Sequence, residues 1–279
     1  MLMKSASALA AAMYLSAAAV PAVAQTTGDG APVAAATAEP VPICTDRPTR
    51  ANAACTVPEG AFQLETDIAN WTRNSDAGVQ TDLIYYTNPY LKYGLGAHTD
   101  VEVNIAPYVT ARTRVGATHD TIGSVGDLYV RLKQGLSPSD NKVQLAIIPY
   151  VKAPTARLGT GNRRWEGGVA VPVVFSLPQG FTLNFGPEVD VLADGDRHGD
   201  HAQAVGVANL AKAAGRATFY AELWTAQNFD PAGTIHQYSA DVAVAYLVVP
   251  TWQVDLGGNF GLNSVTPDAQ VYLGLSTRF

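Results

Sequence analysis

The residues best suited to do chemistry are acids and bases at alternate positions of apolar, strand-like segments. Asp255 lies between Val254 and Leu256, for example. Successive side chains of a strand point to opposite faces, so this alternation gathers the charges on one face. The acids of this set are Glu65, Asp67, Glu102, Asp127, Glu188, Asp190, Glu222, Asp241 and Asp255; its bases are Lys92, Arg131, Lys133, Lys152 and Arg278.

Two interpretations of this charged face stay open. If the strands close into a barrel whose apolar face meets lipid, the charges line a polar path that selects solutes by charge. Alternatively, the acids and bases neutralise one another and only stabilise a filled lumen. Barrels of about 8 strands are filled and those of about 16–18 are open channels, so an intermediate barrel allows either. The mixed signs argue against strong ion selectivity.

A second group of candidate ligands is Asp194, Asp196, His198, Asp200 and His201. Carboxylates bind calcium and imidazoles bind transition metals. A solvated external loop explains the same composition, so we predict neither a metal site nor a cofactor.

Catalysis is not expected. The histidines lie near loops or strand ends, and no Ser, His and acid can be assembled at one height of the predicted wall. The Gly159–Gly161 run lacks the Lys-Ser/Thr of a phosphate loop. The sequence therefore predicts that the chain is not an enzyme.

The elements that position these residues form a nearly continuous series of strands. We predict an all-β, twelve-stranded antiparallel transmembrane barrel over 61–279, with short periplasmic turns and longer external loops. An even strand number is required when both termini lie on one side. The predicted strands are roughly 61–73, 80–94, 99–113, 121–136, 142–155, 166–177, 181–193, 203–212, 216–227, 235–248, 252–262 and 268–279.

The last strand indicates the compartment. Leu273, Leu275 and Phe279 alternate with Gly274 and Arg278, and an aromatic carboxy terminus on such a strand resembles the assembly signal of outer-membrane barrels. Aromatic residues at strand ends suit the interfacial girdle of a barrel. The predicted partners are therefore the outer-membrane bilayer, the barrel-assembly machinery and a small-molecule solute. We also expect Arg278 to lie beside Gln63 or Glu65 where the barrel closes.

The amino-terminal part has a different composition. Lys4, an apolar run and an Ala-x-Ala site before Gln25 predict a signal peptide over 1–24, cleaved on export. Residues 25–42 are Ala- and Pro-rich and predict a flexible tether. Residues 43–60 hold the two cysteines, Cys44 and Cys55, for which export to the periplasm predicts a disulfide. The sequence leaves open whether this segment enters the lumen.

The net charge of −6 without a basic run makes nucleic acid an improbable partner.

Several local motifs, in order along the chain, resemble one family. They are Asp46-Arg47-Pro48, Thr56-Val57-Pro58, Gln63-Leu64-Glu65, Lys92-Tyr93-Gly94-Leu95, Asp100-Val101-Glu102, Gly126-Asp127-Leu128, Ile148-Pro149-Tyr150, Pro154-Thr155, Glu166-Gly167-Gly168 and Val171-Pro172. Over about 45–279 the chain is similar to transporter-type outer-membrane proteins grouped as the "putative MetA-pathway of phenol degradation" family. The resemblance implies a barrel involved in uptake of small, often aromatic, molecules. The cysteine pair and the long tether depart from it.

The favoured function is therefore an outer-membrane transporter or pore for small aromatic or hydrophobic solutes, passive or facilitated. The alternative is a structural or binding barrel with a plugged lumen that acts through its external loops. A third hypothesis is an outer-membrane lipid-modifying enzyme.

Overall fold

The computed structural model of the chain describes residues 41–138, 140–196 and 198–279. The signal peptide predicted over 1–24 and nearly all of the tether predicted over 25–42 lie outside these residues. None of the described residues lies in a helix long and apolar enough to cross a membrane. The strands are β1 (Phe62–Asp76), β2 (Val79–Thr87), β3 (Tyr90–Gly96), β4 (Thr99–Asn104), β5 (Tyr108–Val115), β6 (Thr118–Ser124), β7 (Leu128–Gly135), β8 (Val143–Ala153), β9 (Glu166–Ala170), β10 (Val173–Ser176), β11 (Phe181–Phe185), β12 (Glu188–Ala193), β13 (Asp200–Ala214), β14 (Ala217–Asn228), β15 (Ile235–Val249), β16 (Trp252–Gly261) and β17 (Ala269–Arg278).

These segments form a closed antiparallel barrel of twelve strands. Each of the pairs β2–β3, β4–β5, β6–β7, β9–β10 and β11–β12 is a single wall strand with an interruption, which reduces the seventeen segments to twelve. The barrel closes where β1 pairs with β17, and Gln63 lies opposite Arg278 in that register. The predicted fold class and strand number are confirmed.

Proline explains most of the interruptions. Pro89, Pro107, Pro172 and Pro187 each lie between the two segments of a wall strand. Proline has no N–H for the ladder, so it favours positions where strand pairing is interrupted. The interruptions therefore all fall between β2 and β12, whereas β1, β8 and β13 to β17 run without one.

The two ends of the barrel differ in their connections. At the end that carries Phe62 and Phe279, which we call the short-turn end, the links include the two-residue turns 97–98, 215–216 and 250–251. The opposite, long-loop end carries the connections 154–165, 194–199, 229–234 and 262–268.

The first two links at the long-loop end differ from the predicted long connections. Ala77–Gly78 and Gly116–Ala117 are two-residue turns, so these strands extend beyond their predicted ends. Ala77 and Gly78 both have positive φ, 47° and 81°, as a type I′ hairpin turn requires. Glycine supplies that conformation at little cost, which lets the hairpin close tightly.

The apolar side chains face outward. On β16, Leu256 is 50% exposed and Phe260 46%, whereas Asp255, which precedes Leu256, is 3% exposed. Phe62, Trp252 and Phe279 are exposed at the short-turn end, where an aromatic girdle belongs. The alternation therefore places the polar face, with its acids and bases, in the lumen.

Candidate functional site

Residues 43–60, which we call the plug, occupy the lumen. The plug enters at the short-turn end, where the Ile43 N–H donates to the Pro250 carbonyl (2.7 Å), and leaves where the Gly60 N–H donates to Gly94 (2.9 Å). Between these points it contacts inward side chains on opposite sides of the wall. The predicted disulfide joins Cys44 to Cys55, so a covalent loop brackets most of these contacts.

Asp46 of the plug contacts two buried lysines of the wall. Its carboxylate lies 2.5 Å from Lys92 Nζ and 2.7 Å from Lys133 Nζ. The same lysines reach the wall acids, since Lys92 Nζ is 2.7 Å from Glu65 and both amines are 3.3 Å from Glu102. Because all these groups are largely buried, each charge depends on the others for compensation.

The pKa of Asp46 follows from this setting. Burial alone would raise it, but the charges of Lys133, Lys92 and Arg131 outweigh burial and hold the pKa of this carboxyl well below its usual value. When the plug is undocked, the pKa of this carboxyl is about 3.9. Above that pH, the lower pKa of the docked carboxylate stabilises the docked plug. This contribution is lost as the pH falls through the pKa of the docked state.

We therefore expect acid to loosen the plug. Between pH 5 and pH 3, amide hydrogen exchange of residues 45–58, corrected for its intrinsic pH dependence, should accelerate. Asp46→Asn should flatten this response, since the substituted side chain no longer titrates. An equal acid response in Asp46→Asn would assign the effect to the wall acids instead.

Arg47 joins the plug to the seam of the barrel. Its guanidinium lies 2.6 Å from Asp67 on β1 and 2.8 Å from Asp255 on β16. Burial opposes the charged form, but the bonds to Asp255 and Asp67 raise the pKa of Arg47. Gly274 on β17 leaves room for this side chain, because a Cβ there would collide with the guanidinium.

Arg50 and its neighbour Ala51 dock on β14 and β15, next to the strand that carries Asp255. The Arg50 guanidinium lies 3.3 Å from Asp241 and 4.2 Å from the ring centre of Trp224. The backbone N–H groups of Arg50 and Ala51 donate to the Glu222 carboxylate at 3.0 and 3.1 Å. Burial lowers the pKa of Arg50, against the opposing charges of Asp241 and Glu222.

Asn52 lines one cavity of the lumen, and its neighbours Ala51 and Ala53 line another. Arg131 donates to its Oδ1 (2.5 Å), and Asn184 donates to its backbone carbonyl (2.8 Å), so it spans from β7 to β11. The central cavity has a volume of 160 Å³ and is lined by Asn52, Tyr90, Tyr129, Arg131, Ile148, Tyr150, Ala170 and Glu188. The lower cavity, of 270 Å³, lies nearer the short-turn end beside Ala51, Ala53 and Asn184.

The remaining predicted lumen residues lie away from the plug. Lys152 Nζ contacts Glu166 (2.6 Å) and Asp127 (3.4 Å), and this group fastens the 154–165 connection at the long-loop end. Asp190 accepts a hydrogen bond from the Tyr150 hydroxyl (2.7 Å). Arg278 lies opposite Gln63 in the strand register, as expected. Its side chain, however, donates to the carbonyl of Val41, which precedes the plug.

The acidic loop at 194–201 is organised by internal hydrogen bonds. His201 Nδ1 lies 2.9 Å from Asp194, and Asp196 accepts from the His198 backbone N–H. Asp200 lies 3.3 Å from Arg164. Among the described residues, which omit position 197, no three potential ligands come together as a metal site.

Sequence reasoning missed Asp46, Arg47, Arg50 and Asn52 as lumen residues. A signal existed, because the predicted lumen held more acids than bases and was short of positive charge. Arg47 and Arg50 supply that charge from a segment outside the strands. Alternation within strands could not reveal it.

The comparisons with known proteins agree with this architecture. A family model described as "Putative MetA-pathway of phenol degradation" matches residues 45–279. No curated protein matches the chain in sequence.

Solved structures of similar fold include an outer membrane channel of the COG4313 group from Pseudomonas putida F1. It has 13% identity and a TM-score of 0.63, over 81% of this chain and 98% of that one. The NanC porin has 10% identity and a TM-score of 0.51, over 77% and 98%. The beta domain of the Bordetella autotransporter BrkA has 13% identity and a TM-score of 0.51, over 79% and 100%. At these identities the likeness concerns the fold.

Proposed function

Because the chain belongs to the "Putative MetA-pathway of phenol degradation" family, we propose that it is an outer-membrane channel for small solutes. The solutes are aromatic or hydrophobic, and their passage is passive or facilitated. One observation carries the proposal: two cavities flank the plug at the same point, since Asn52 lines the central cavity and its neighbours Ala51 and Ala53 line the lower one. A small displacement of the plug at that point would join them. The similar structure from Pseudomonas putida F1 is also described as a channel.

The orientation follows from the same proposal. The short-turn end faces the periplasm, so that both termini lie there and the long loops face outward. Leu273, Leu275 and Phe279 serve as the signal for the barrel-assembly machinery after cleavage of the signal peptide. The oxidising periplasm suits the disulfide between Cys44 and Cys55. The lumen acids and bases hold the plug and shape the path around it.

A second candidate, a plugged barrel that acts through its external loops, is favoured by the buried ion pairs of the plug. Removing one partner of such a pair is costly, so the plug could be permanent. The prediction that the chain is not an enzyme stays a prediction.

Solute flux distinguishes the two candidates. In proteoliposomes, the full chain should admit a small neutral solute, and Asn52→Gly should raise its rate several-fold because it removes a plug side chain that lines the central cavity. Asn52→Gln is the matched control, since it keeps the amide and adds bulk. Absence of flux in the wild type and in Asn52→Gly would favour the plugged barrel.

A further inference from the structure

Two arginines and a carboxylate form a row on the outer face of the wall, close to the long-loop end. Trp71 on β1 lies opposite Val271, which is exposed on the apolar outer face. Directly opposite residues of antiparallel strands share a face, and so do residues two apart on one strand. Arg73 therefore also points outward. It lies opposite Asp82 on β2, which in turn lies opposite Arg112 on β5.

A second outward row lies nearer the long-loop end. Gln80 on β2 is opposite Arg114 on β5, and Arg114 is opposite His119 on β6. Both Arg114 and His119 are exposed. We call Arg73, Arg112, Arg114 and His119 the outer arginine patch.

The positive charge of the patch is only partly neutralised. Arg73 Nε lies 2.8 Å from the Asp82 carboxylate. Within the part of the chain that the structure describes, Arg112 and Arg114 form no ion pair. Arg114 donates to the side-chain oxygen of Gln80, a neutral acceptor (3.2 Å). Two guanidinium groups can therefore still pair with an anion, in a chain whose net charge is −6.

The height of the patch matches that of lipid headgroups. Arg73 lies eleven residues after Phe62, which belongs to the aromatic girdle at the short-turn end. At about 3.3 Å per residue and a tilt of about 40°, this separation is about 25–28 Å along the barrel axis, if one residue is allowed for the bulge between Asp67 and Ala69. The apolar band of such barrels is about 25 Å tall. Trp71, whose ring centre lies 4.9 Å from the Arg73 guanidinium, is then at the edge of this band, where tryptophan is enriched.

We propose that the outer arginine patch binds the phosphate groups of lipid A, the phosphorylated glycolipid of the outer leaflet. Arg112 and Arg114 donate charge-assisted hydrogen bonds to a phosphate, for which the planar guanidinium is well suited. The acyl chains lie along the apolar wall below, where Tyr108 and Val271 are exposed. That adjacent apolar surface favours a lipid over a free phosphate ion. This inference rests on the proposed orientation of the barrel and not on solute passage.

The test measures binding of lipid A to the full chain in phosphatidylcholine nanodiscs, with dephosphorylated lipid A as the matched probe and native mass spectrometry as the readout. Lipid A should bind at least tenfold more tightly than the dephosphorylated form. The double variant Arg112→Gln/Arg114→Gln should weaken lipid A binding by about tenfold or more, because it removes both unpaired guanidinium groups. Asp82→Asn should strengthen it, because it frees Arg73 from its carboxylate. Heat-modifiable migration on a gel shows that each variant is folded.

Arg216→Gln is the matched control, because Arg216 is an arginine at the short-turn end. Its Nε donates to the Leu247 carbonyl, and its guanidinium lies 5.3 Å from the ring centre of Tyr246, which is exposed. This variant should bind lipid A as the wild type does. An equal loss in Arg216→Gln and in the double variant would indicate a general effect of charge and overturn the inference.

Three other results would overturn it: equal binding of the two lipids, wild-type binding in the double variant, or complete displacement of lipid A by millimolar inorganic phosphate. The orientation is tested on intact cells with Ser75→Cys, since Ser75 lies opposite Gln80 beside the patch. A membrane-impermeant maleimide should label it, and absence of labelling would exclude the outer leaflet. Lipid A binding without solute flux would refute the channel but not the site, whereas flux without phosphate-selective binding would refute the site but not the channel.

Discussion

Arg47→Ala is expected to open the lumen. The substitution leaves Asp67 and Asp255 buried without their cation, and removing one partner of a buried ion pair costs about 3–5 kcal/mol. That loss falls on the docked plug, because both acids belong to the wall and Arg47 to the plug. At about 1.4 kcal/mol for each factor of ten, local opening of the plug should become at least about a hundredfold more frequent.

Two measurements check this expectation. Hydrogen exchange of the Ala51 and Val57 amides, which donate to Glu222 and Asp100, should accelerate by that factor. In planar bilayers, the time-averaged conductance should rise in the same variant.

Arg278→Ala provides the matched control for Arg47→Ala. Arg278 is also an arginine at the short-turn end, but its side chain donates to the Val41 carbonyl. The control should leave both measurements close to the wild type. Unchanged exchange in Arg47→Ala would show that the remaining contacts hold the plug without it.

Lys92→Met is expected to destabilise the barrel together with the plug. The amine of Lys92 contacts Asp46, Glu65 and Glu102, and the side chain is 3% exposed. Methionine preserves the volume of the stem but leaves these carboxylates with less positive charge. We expect the free energy of unfolding to fall by about 3–5 kcal/mol, measured by guanidinium titration of the refolded barrel.

A compensated variant tests the cause of this loss. Adding Glu65→Gln to Lys92→Met removes one stranded charge and should recover part of the stability. Lys212→Met is the control, because Lys212 donates to the Gln179 carbonyl rather than to a carboxylate. A loss in Lys212→Met as large as that in Lys92→Met would attribute the effect to side-chain bulk.

The strands were predictable because their signal is local. Alternation on β16 identified Asp255 as inward and Leu256 as outward, and the exposures agree. Turn residues set most boundaries, although the tight turn at Ala77–Gly78 was not anticipated. The prolines were visible in the sequence, but the interruptions they cause in neighbouring wall strands depended on which strands pair with each other.

The sequence by itself determined the class of fold, the number of wall strands and the inward set of acids and bases, because a period of two is a property of consecutive residues. Only the tertiary structure decided which groups these charges contact. Asp46, Arg47 and Arg50 lie before the first strand, and their partners are as far along the chain as Asp255. Such pairings depend on barrel closure and on the path of the plug through the lumen, which no local pattern records. For the same reason, the contacts of Asn52 with Arg131 and Asn184 were beyond prediction from the sequence.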